Sequence, residues 1–136
     1  MSALNDKVCV PIQSAADIVI ARQKGRALAI QLGFAGSDPT VIAAAISEVA
    51  RNIVNHAKQG EIVLSGIHEG GLHGIQVIAA DQGPGISDIE RAMQYGYSSS
   101  KGMGVGLPGA KWLMDEFDIQ SQVGKGTRVT MRKWVH

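Results

Sequence analysis

The sequence predicts an α+β fold in which a mostly antiparallel sheet is covered by helices on one face. Helical patterns collect in the front and middle of the 136-residue chain, and most strand patterns lie in its second half. The strands there fall into pairs joined by glycine-rich turns, which favours antiparallel hairpins. The length predicts a single domain over residues 1–136, large enough to bury a hydrophobic core.

The first half of the chain predicts one strand and two helices. Val8, Val10 and Ile12 alternate with other residues, as in a strand. The first helix is expected to begin at Ser14, with Asp17 in a capping-box-like spacing, and to stop at Gly33. The second is expected over residues 38–57, with Asp38 as the capping carboxylate before a proline at the first helical position.

The chain from residue 61 onwards predicts two hairpins and two further helices. The strands of the hairpins are expected over residues 61–67 and 75–80, and over residues 117–123 and 127–135. A short helix is expected over residues 88–94, and another over residues 108–116. These elements complete a sheet with helices on one side.

Composition narrows the class of protein. Apolar residues make up 45% and charged residues 18%, and the formal net charge of +1 gives no basic field for nucleic acid. No apolar run has the length of a membrane helix, and no signal peptide is expected. The single cysteine, Cys9, is expected to be buried and inert, which fits a reducing compartment. We therefore expect a cytoplasmic protein that binds neither nucleic acid nor membrane.

Glycines concentrate in one stretch, since seven of the 17 lie between Gly83 and Gly109. Such density predicts backbone that approaches a ligand closely or adopts positive φ, with nucleotide phosphates as the candidate ligand. Residues 104–109 match the dinucleotide fingerprint G-x-G-x-x-G, but no strand pattern precedes them and no acidic residue stands about 20 positions on. Residues 124–127 resemble part of a phosphate loop but lack its Gly-Lys-Ser/Thr order. Both interpretations are rejected.

Polar residues in two places could carry chemistry. Glu48, Asn52 and Asn55 are spaced i, i+4, i+7 on the second helix, so they share one stripe. An asparagine oxygen suits Mg²⁺ and a glutamate can accept a proton, although the stripe taken alone is better explained as a solvated helix face. Asp81 follows an apolar strand and precedes Gly-Pro-Gly, which is consistent with an acceptor for the adenine amine or with a turn.

Taken together, these features resemble a known family. A helix with E-x-x-x-N, a strand followed by DxGxG, then GxGxGLPG and GxGT occur in that order over residues 41–130. This is similar to the GHKL ATP-binding (Bergerat) fold of gyrase, Hsp90, histidine kinases and MutL, which implies a two-layer sandwich with a mixed, mostly antiparallel sheet. ISEVARNIVNHA, DQGPGI and YSSSKGMGVGLPGAKWLMDEFDI resemble the anti-sigma-factor and RsbT-like serine/threonine kinases, and the RsbT branch more closely.

The resemblance implies roles for individual residues. It makes Glu48 the general base and Asn52 the Mg²⁺ ligand, with Arg51 and Asn55 as neighbours of phosphate or magnesium. Asp81 would hold adenine, Gly83 and Gly85 would shape that pocket, and Thr127 would assist near the base. The lid over the phosphates would consist of Lys101, Gly102, Gly104, Gly106 and Leu107.

The resemblance also implies an activity and partners. A kinase of this type uses ATP and Mg²⁺ to phosphorylate a serine or threonine on STAS-domain proteins of the RsbS and RsbR type, as in the stressosome. Once released, it binds and activates a PP2C-type phosphatase of the RsbU type, which is partner switching in stress signalling. The alternatives are an anti-sigma factor that holds a sigma subunit and an ATPase switch without phosphotransfer. A histidine kinase using His56 is disfavoured, because no dimerisation helix pair is expected before the domain.

Overall fold

The computed structural model describes residues 7–85, 93 and 106–136. These residues form five strands and three helices. In chain order the elements are β1 (Lys7–Ile12), α1 (Ala15–Gln31), α2 (Asp38–His56), β2 (Gly60–Glu69), β3 (Leu72–Asp81), α3 (Gly106–Leu113), β4 (Glu116–Gln122) and β5 (Gly126–Trp134). The short helix expected over residues 88–94 lies outside the described residues.

The strands form one sheet in the order β1-β2-β3-β5-β4, and every pairing among the described strands is antiparallel. One cross-strand row shows how the sheet builds the core. Val10 pairs with Ile62, Ile62 with Ala79, and Ala79 with Val129, and all four side chains are buried. The three helices supply the other side of the same apolar cluster. The predicted α+β class, with helices on one face of the sheet, is confirmed.

The two long helices are packed tightly against each other through Gly25 in α1. A Cβ at this position would overlap Cδ1 of Ile46, a fully buried residue of α2. Glycine weakens a helix interior by roughly 0.5–1 kcal/mol, so its presence here is explained by the close approach of the helices. This contact holds α2, the helix that carries Glu48 and Asn52, against α1, and both helices pack on the same face of the sheet.

The helix starts differ in detail from the sequence prediction. Ser14 occupies the N-cap of α1 without a side-chain hydrogen bond, and Asp17 accepts at 2.8 Å from the backbone N–H of Gln13, the residue before the N-cap, so the expected capping box is not formed. Ser37, and not Asp38, is the N-cap of α2, and Asp38 lies in the first turn. A carboxylate there still interacts favourably with the helix dipole.

The first hairpin extends further than its apolar pattern predicts, with strands over residues 60–69 and 72–81. Strands β2 and β3 continue to a two-residue turn at Gly70 and Gly71, whose φ angles are 58° and 84°. Positive φ at both central residues is the type I′ geometry that matches the twist of a hairpin. The second hairpin turns at residues 123–125, one residue earlier than expected. Helix α3 begins at Gly106, two residues before the proline expected to start it.

The expected burial of Cys9 is wrong. Val8, Val10 and Ile12 face the helices, so Cys9 lies on the opposite face of the sheet and is exposed. Its thiol donates a hydrogen bond to Oε2 of Glu61, 3.0 Å away on β2. That hydrogen bond raises the pKa of Cys9 above its ordinary value, with smaller contributions from burial and from the Glu61 charge. The thiol is therefore less ionised than an ordinary exposed cysteine.

Candidate functional site

Glu48 is held by two hydrogen bonds on α2. Its side chain is 13% exposed, and Oε1 accepts from Nη1 of Arg51 at 3.0 Å and from the backbone N–H of Gly106 at 3.2 Å. Gly106 is the first residue of α3 and stands 58 positions away in the sequence. The fold therefore brings the expected base into contact with the glycine-rich motif, an association that the sequence did not reveal directly.

Asn52 and Asn55 follow Glu48 along the same stripe of α2. Asn52 is half-buried, one turn beyond Glu48, and its side chain makes no hydrogen bond to another described residue. Asn55 is exposed. A free amide oxygen beside a carboxylate fits a Mg²⁺ ion, which takes oxygen ligands and shares its shell with phosphates and water. Arg51, expected near phosphate or magnesium, forms an ion pair with Glu48.

Asp81 lies at the end of β3 and is half-buried. Its Oδ1 accepts from the backbone N–H of Gly83 at 2.9 Å and from that of Thr127 at 3.3 Å. Its Oδ2 bonds to none of the described residues. One carboxylate oxygen therefore anchors the loop, and the other is available as an acceptor.

The glycines after Asp81 let the loop pack against the protein itself. A Cβ on Gly83 would lie 2.6 Å from Cβ of Ala57, at the end of α2. Gly85 has a φ of 78°, and a Cβ there would overlap the carbonyl oxygen of Gln122. In addition, the backbone N–H of Gly124 donates to the carbonyl of Pro84 at 2.8 Å. From the sequence, Gly83 and Gly85 are expected to shape the adenine pocket. In the structure, their close approaches are to the end of α2 and to the β4–β5 turn.

Thr127 and Ser121 complete this end of the sheet. Thr127 is 6% exposed and pairs with Asp81 on one side and Ser121 on the other. The two hydroxyl oxygens are 2.8 Å apart, and the Ser121 hydroxyl donates to the carbonyl of Gly126 at 3.1 Å. A cleft of about 330 Å³ is lined by Asp81, Ser121, Thr127 and six neighbours. Sequence reasoning missed Ser121, although a hairpin turning at residues 123–125 places it opposite Thr127.

A second cleft, of about 410 Å³, lies between α1 and α2 and includes Glu48 in its wall. Arg22 and Arg26 line it from α1, where they are one helical turn apart. Neither arginine forms an ion pair with another described residue. Sequence reasoning missed this cleft too, since only the packing of the helices brings the arginines towards Glu48.

The expected lid is described only in part. Gly106 has a φ of 69°, and Leu107 is 4% exposed and packs in the core. Leu107 therefore anchors the start of α3 to the protein. Lys101, Gly102 and Gly104 lie outside the described residues. No helix in the described part of the chain has both the length and the apolar character needed to cross a membrane.

The family model described as histidine kinase-, DNA gyrase B- and HSP90-like ATPase matches residues 37–135, from α2 to the end of β5. The chain belongs to this ATPase family. The match includes every described site residue discussed above except the two arginines of α1. Use of ATP follows from membership in the family.

Relatives narrow the position of the chain within this ATPase family. It is 48% identical to serine/threonine-protein kinase RsbT of Bacillus subtilis (strain 168), over 97% of this chain and 99% of that protein. It is 36% identical to an anti-sigma F factor of Thermoanaerobacter sp. (strain X514), over 72% of this chain and 75% of the relative. An anti-sigma F factor of Clostridium acetobutylicum is 32% identical over 71% and 73%. The alignment with RsbT covers nearly the whole of both chains.

Proposed function

We propose that the chain is a Mg²⁺-ATP-dependent serine/threonine protein kinase of a bacterial partner-switching module. The observation that carries the proposal is the hydrogen bond from the Gly106 N–H to Oε1 of Glu48, which joins a carboxylate to the point where the glycine-rich motif enters α3. A kinase needs this combination, because it must hold the phosphates and accept a proton at neighbouring positions. The proposed domain spans residues 1–136 and acts in the cytoplasm, with its nucleotide site within residues 41–130.

The nucleotide would be held at two places. Oδ2 of Asp81 is the proposed acceptor for the adenine amine, with Gly83 and Gly85 shaping the loop and Thr127 beside it. The proposed lid over the phosphates comprises Lys101, Gly102, Gly104, Gly106 and Leu107. Backbone N–H groups at the start of α3 are suited to anionic oxygens, because a helix N-terminus carries partial positive charge.

Asn52 is the proposed protein ligand for Mg²⁺, with Asn55 further along the same stripe. The fit rests on its half-buried amide, which has no hydrogen bond to another described residue. When bound, Mg²⁺ would neutralise charge on the phosphate oxygens. The chain's own part is to present one amide oxygen and leave the other coordination positions to phosphate and water.

Glu48 is the proposed base for the transfer. The acceptor hydroxyl oxygen forms a bond to the γ-phosphorus, the bond from that phosphorus to the β,γ-bridging oxygen breaks, and the hydroxyl proton passes to Glu48. ADP and a phosphoprotein are the products. The cleft with Arg22 and Arg26 offers the protein substrate a cationic approach that ends at Glu48.

The proposed substrates are STAS-domain proteins of the RsbS and RsbR type, and the second partner is a PP2C-type phosphatase of the RsbU type. The 48% identity to RsbT over nearly the whole of both chains supports this choice. Phosphorylation adds about −2 charge to the interface, which can release the kinase to its second partner. The 36% identity to an anti-sigma F factor favours a second candidate, a kinase that sequesters a sigma factor.

The test is phosphotransfer from radiolabelled Mg-ATP to a purified STAS-domain protein, with a sigma factor offered in parallel for capture. Glu48→Gln is expected to lower the transfer rate by about 10²- to 10⁴-fold with ATP affinity retained, because only the base is lost. Glu69→Gln is the matched control, since Glu69 is exposed at the far end of β2.

Full transfer by Glu48→Gln would contradict the role of Glu48 as a base. Capture of the sigma factor without labelling of the STAS protein would favour the anti-sigma candidate. ATP hydrolysis with no labelled protein would indicate an ATPase switch.

A further inference from the structure

Three polar side chains form a row at the end of the sheet. Asp81 pairs with Thr127, and Thr127 pairs with Ser121, so all three project from the face that packs against the helices. Thr127 is in the middle of the row and is 6% exposed, whereas Ser121 is half-buried on the edge strand β4. The hydroxyl of Thr127 therefore lies between a carboxylate and a second hydroxyl.

The direction of the hydrogen bonds in this row follows from their partners. The hydroxyl of Ser121 lies 3.1 Å from the carbonyl oxygen of Gly126, which can only accept, so Ser121 donates its hydrogen there. Ser121 and Thr127 are 2.8 Å apart, and a hydroxyl has one hydrogen to donate. Thr127 must then be the donor in this pair. The hydroxyl oxygen of Thr127 then has only lone pairs left, so it can act only as an acceptor in any other contact.

We infer that Ser121 is a positioning residue that sets the base preference of the nucleotide site. By holding the Thr127 hydroxyl as a donor to itself, it leaves Thr127 as an acceptor beside the acceptor Oδ2 of Asp81. Two acceptors suit the 6-amino group of a purine, which has two N–H donors, and oppose a 6-oxo group, which has none. The inference rests on the proposed adenine site at Asp81 and adds the residue that fixes its polarity.

The test compares the affinities of ATP and ITP, whose bases differ in the 6-amino or 6-oxo group and in the hydrogen on N1 that accompanies the 6-oxo form. We expect the wild-type protein to prefer ATP. In Ser121→Ala the Thr127 hydroxyl is free to rotate and donate to the 6-oxo group, so the ratio of ATP to ITP affinity should fall about fivefold, the value of one neutral hydrogen bond. Titration calorimetry measures both constants, and Thr130→Val, on the same strand but the opposite face, should leave the ratio unchanged.

A double-variant comparison separates positioning from a structural effect. Thr127→Val removes the hydroxyl but keeps the backbone N–H that bonds to Asp81, so it should lower the ratio by a similar factor. Adding Ser121→Ala to Thr127→Val should then change nothing, because Ser121 acts through Thr127. Ser121→Thr keeps a hydroxyl and should restore the wild-type ratio.

An unchanged ratio in Ser121→Ala, or a further fall when it is added to Thr127→Val, would overturn the inference. If Ser121→Ala does not fold, as judged by thermal melting, Thr127→Val alone decides, and full discrimination by that variant overturns the inference. Failure of the wild-type protein to bind ATP would overturn the proposed function itself. That result is distinct, because it appears before any variant is compared.

Discussion

Replacing Asp81 with asparagine reverses one hydrogen-bonding position and keeps the loop. Oδ1 of Asp81 accepts from the backbone N–H groups of Gly83 and Thr127, at 2.9 and 3.3 Å. These two donors require an oxygen at that position, so the amide of Asp81→Asn must place its oxygen there and its NH₂ group where Oδ2 stands. The variant therefore presents a donor to the adenine amine, where the wild-type protein presents an acceptor.

The expected loss of ATP affinity follows from the strength of the lost hydrogen bond between Asp81 and the adenine amine. A hydrogen bond to a charged acceptor contributes about 1.5–3 kcal/mol, which corresponds to a roughly 10- to 150-fold weaker ATP affinity. Folding stability should change by less than about 1 kcal/mol, because both loop hydrogen bonds remain. A large loss of ATP affinity with little change in stability is thus the specific signature of Asp81 as the base acceptor.

Titration calorimetry with Mg-ATP and urea denaturation measure the two quantities separately. Asp118→Asn is the matched control, because Asp118 is exposed on β4 and pairs with Thr130 on the open face of the sheet. Unchanged ATP affinity in Asp81→Asn would refute the adenine role. A loss of stability as large as the loss of affinity would assign Asp81 to loop structure alone.

Two further predictions concern the loop after Asp81 and the arginine cleft. Gly85→Ala should lower the free energy of unfolding, measured by urea denaturation, by about 1–3 kcal/mol more than Gly124→Ala does. The two glycines have similar φ angles of 78° and 81°, but a Cβ on Gly124 meets nothing within 4 Å, whereas one on Gly85 overlaps a carbonyl oxygen. Equal losses would mean that backbone strain alone accounts for both. Reversing the charges of Arg22 and Arg26 to glutamate should lower transfer to the protein substrate at least about tenfold. ATP affinity should be unaffected, and Lys24→Glu on the same helix should have little effect; equal effects from both changes would rule out a specific cleft.

The fold was largely predictable because local pattern and turn chemistry agree with it. The apolar spacing in α2 and the alternation in β3 each match the burial in the structure. The errors arose where the partner strand decides the outcome. Alternation correctly predicted that Val8 and Val10 share one face of β1. The same alternation puts Cys9 on the other face, where its thiol bonds to Glu61, the residue of β2 that pairs with Pro11. An apolar segment on an edge strand does not imply burial on both faces.

In the candidate site, only the residues that belong to sequence motifs could be predicted. The motifs selected Glu48 and Asp81, but the contact from Gly106 to Glu48 spans 58 positions and depends on how α3 docks on α2. Ser121 lies outside the motifs, and its importance derives from the direction of two hydrogen bonds. Arg22 reaches the Glu48 cleft only because Gly25 lets α1 approach Ile46. Such contacts depend on tertiary packing, which local sequence patterns do not reveal.

The glycine-rich stretch therefore serves two separate structural purposes at its ends. At Gly83 and Gly85 the glycines fix the loop of Asp81 against the end of α2 and the β4–β5 turn, so the base acceptor is held by protein contacts that need no ligand. At Gly106 the backbone N–H is bonded to Glu48, so the proposed base is tied to the segment proposed to hold the phosphates. Base selection then depends on a preformed loop, and proton transfer depends on the position of α3. The two ends of the stretch can be altered independently, since they contact different parts of α2.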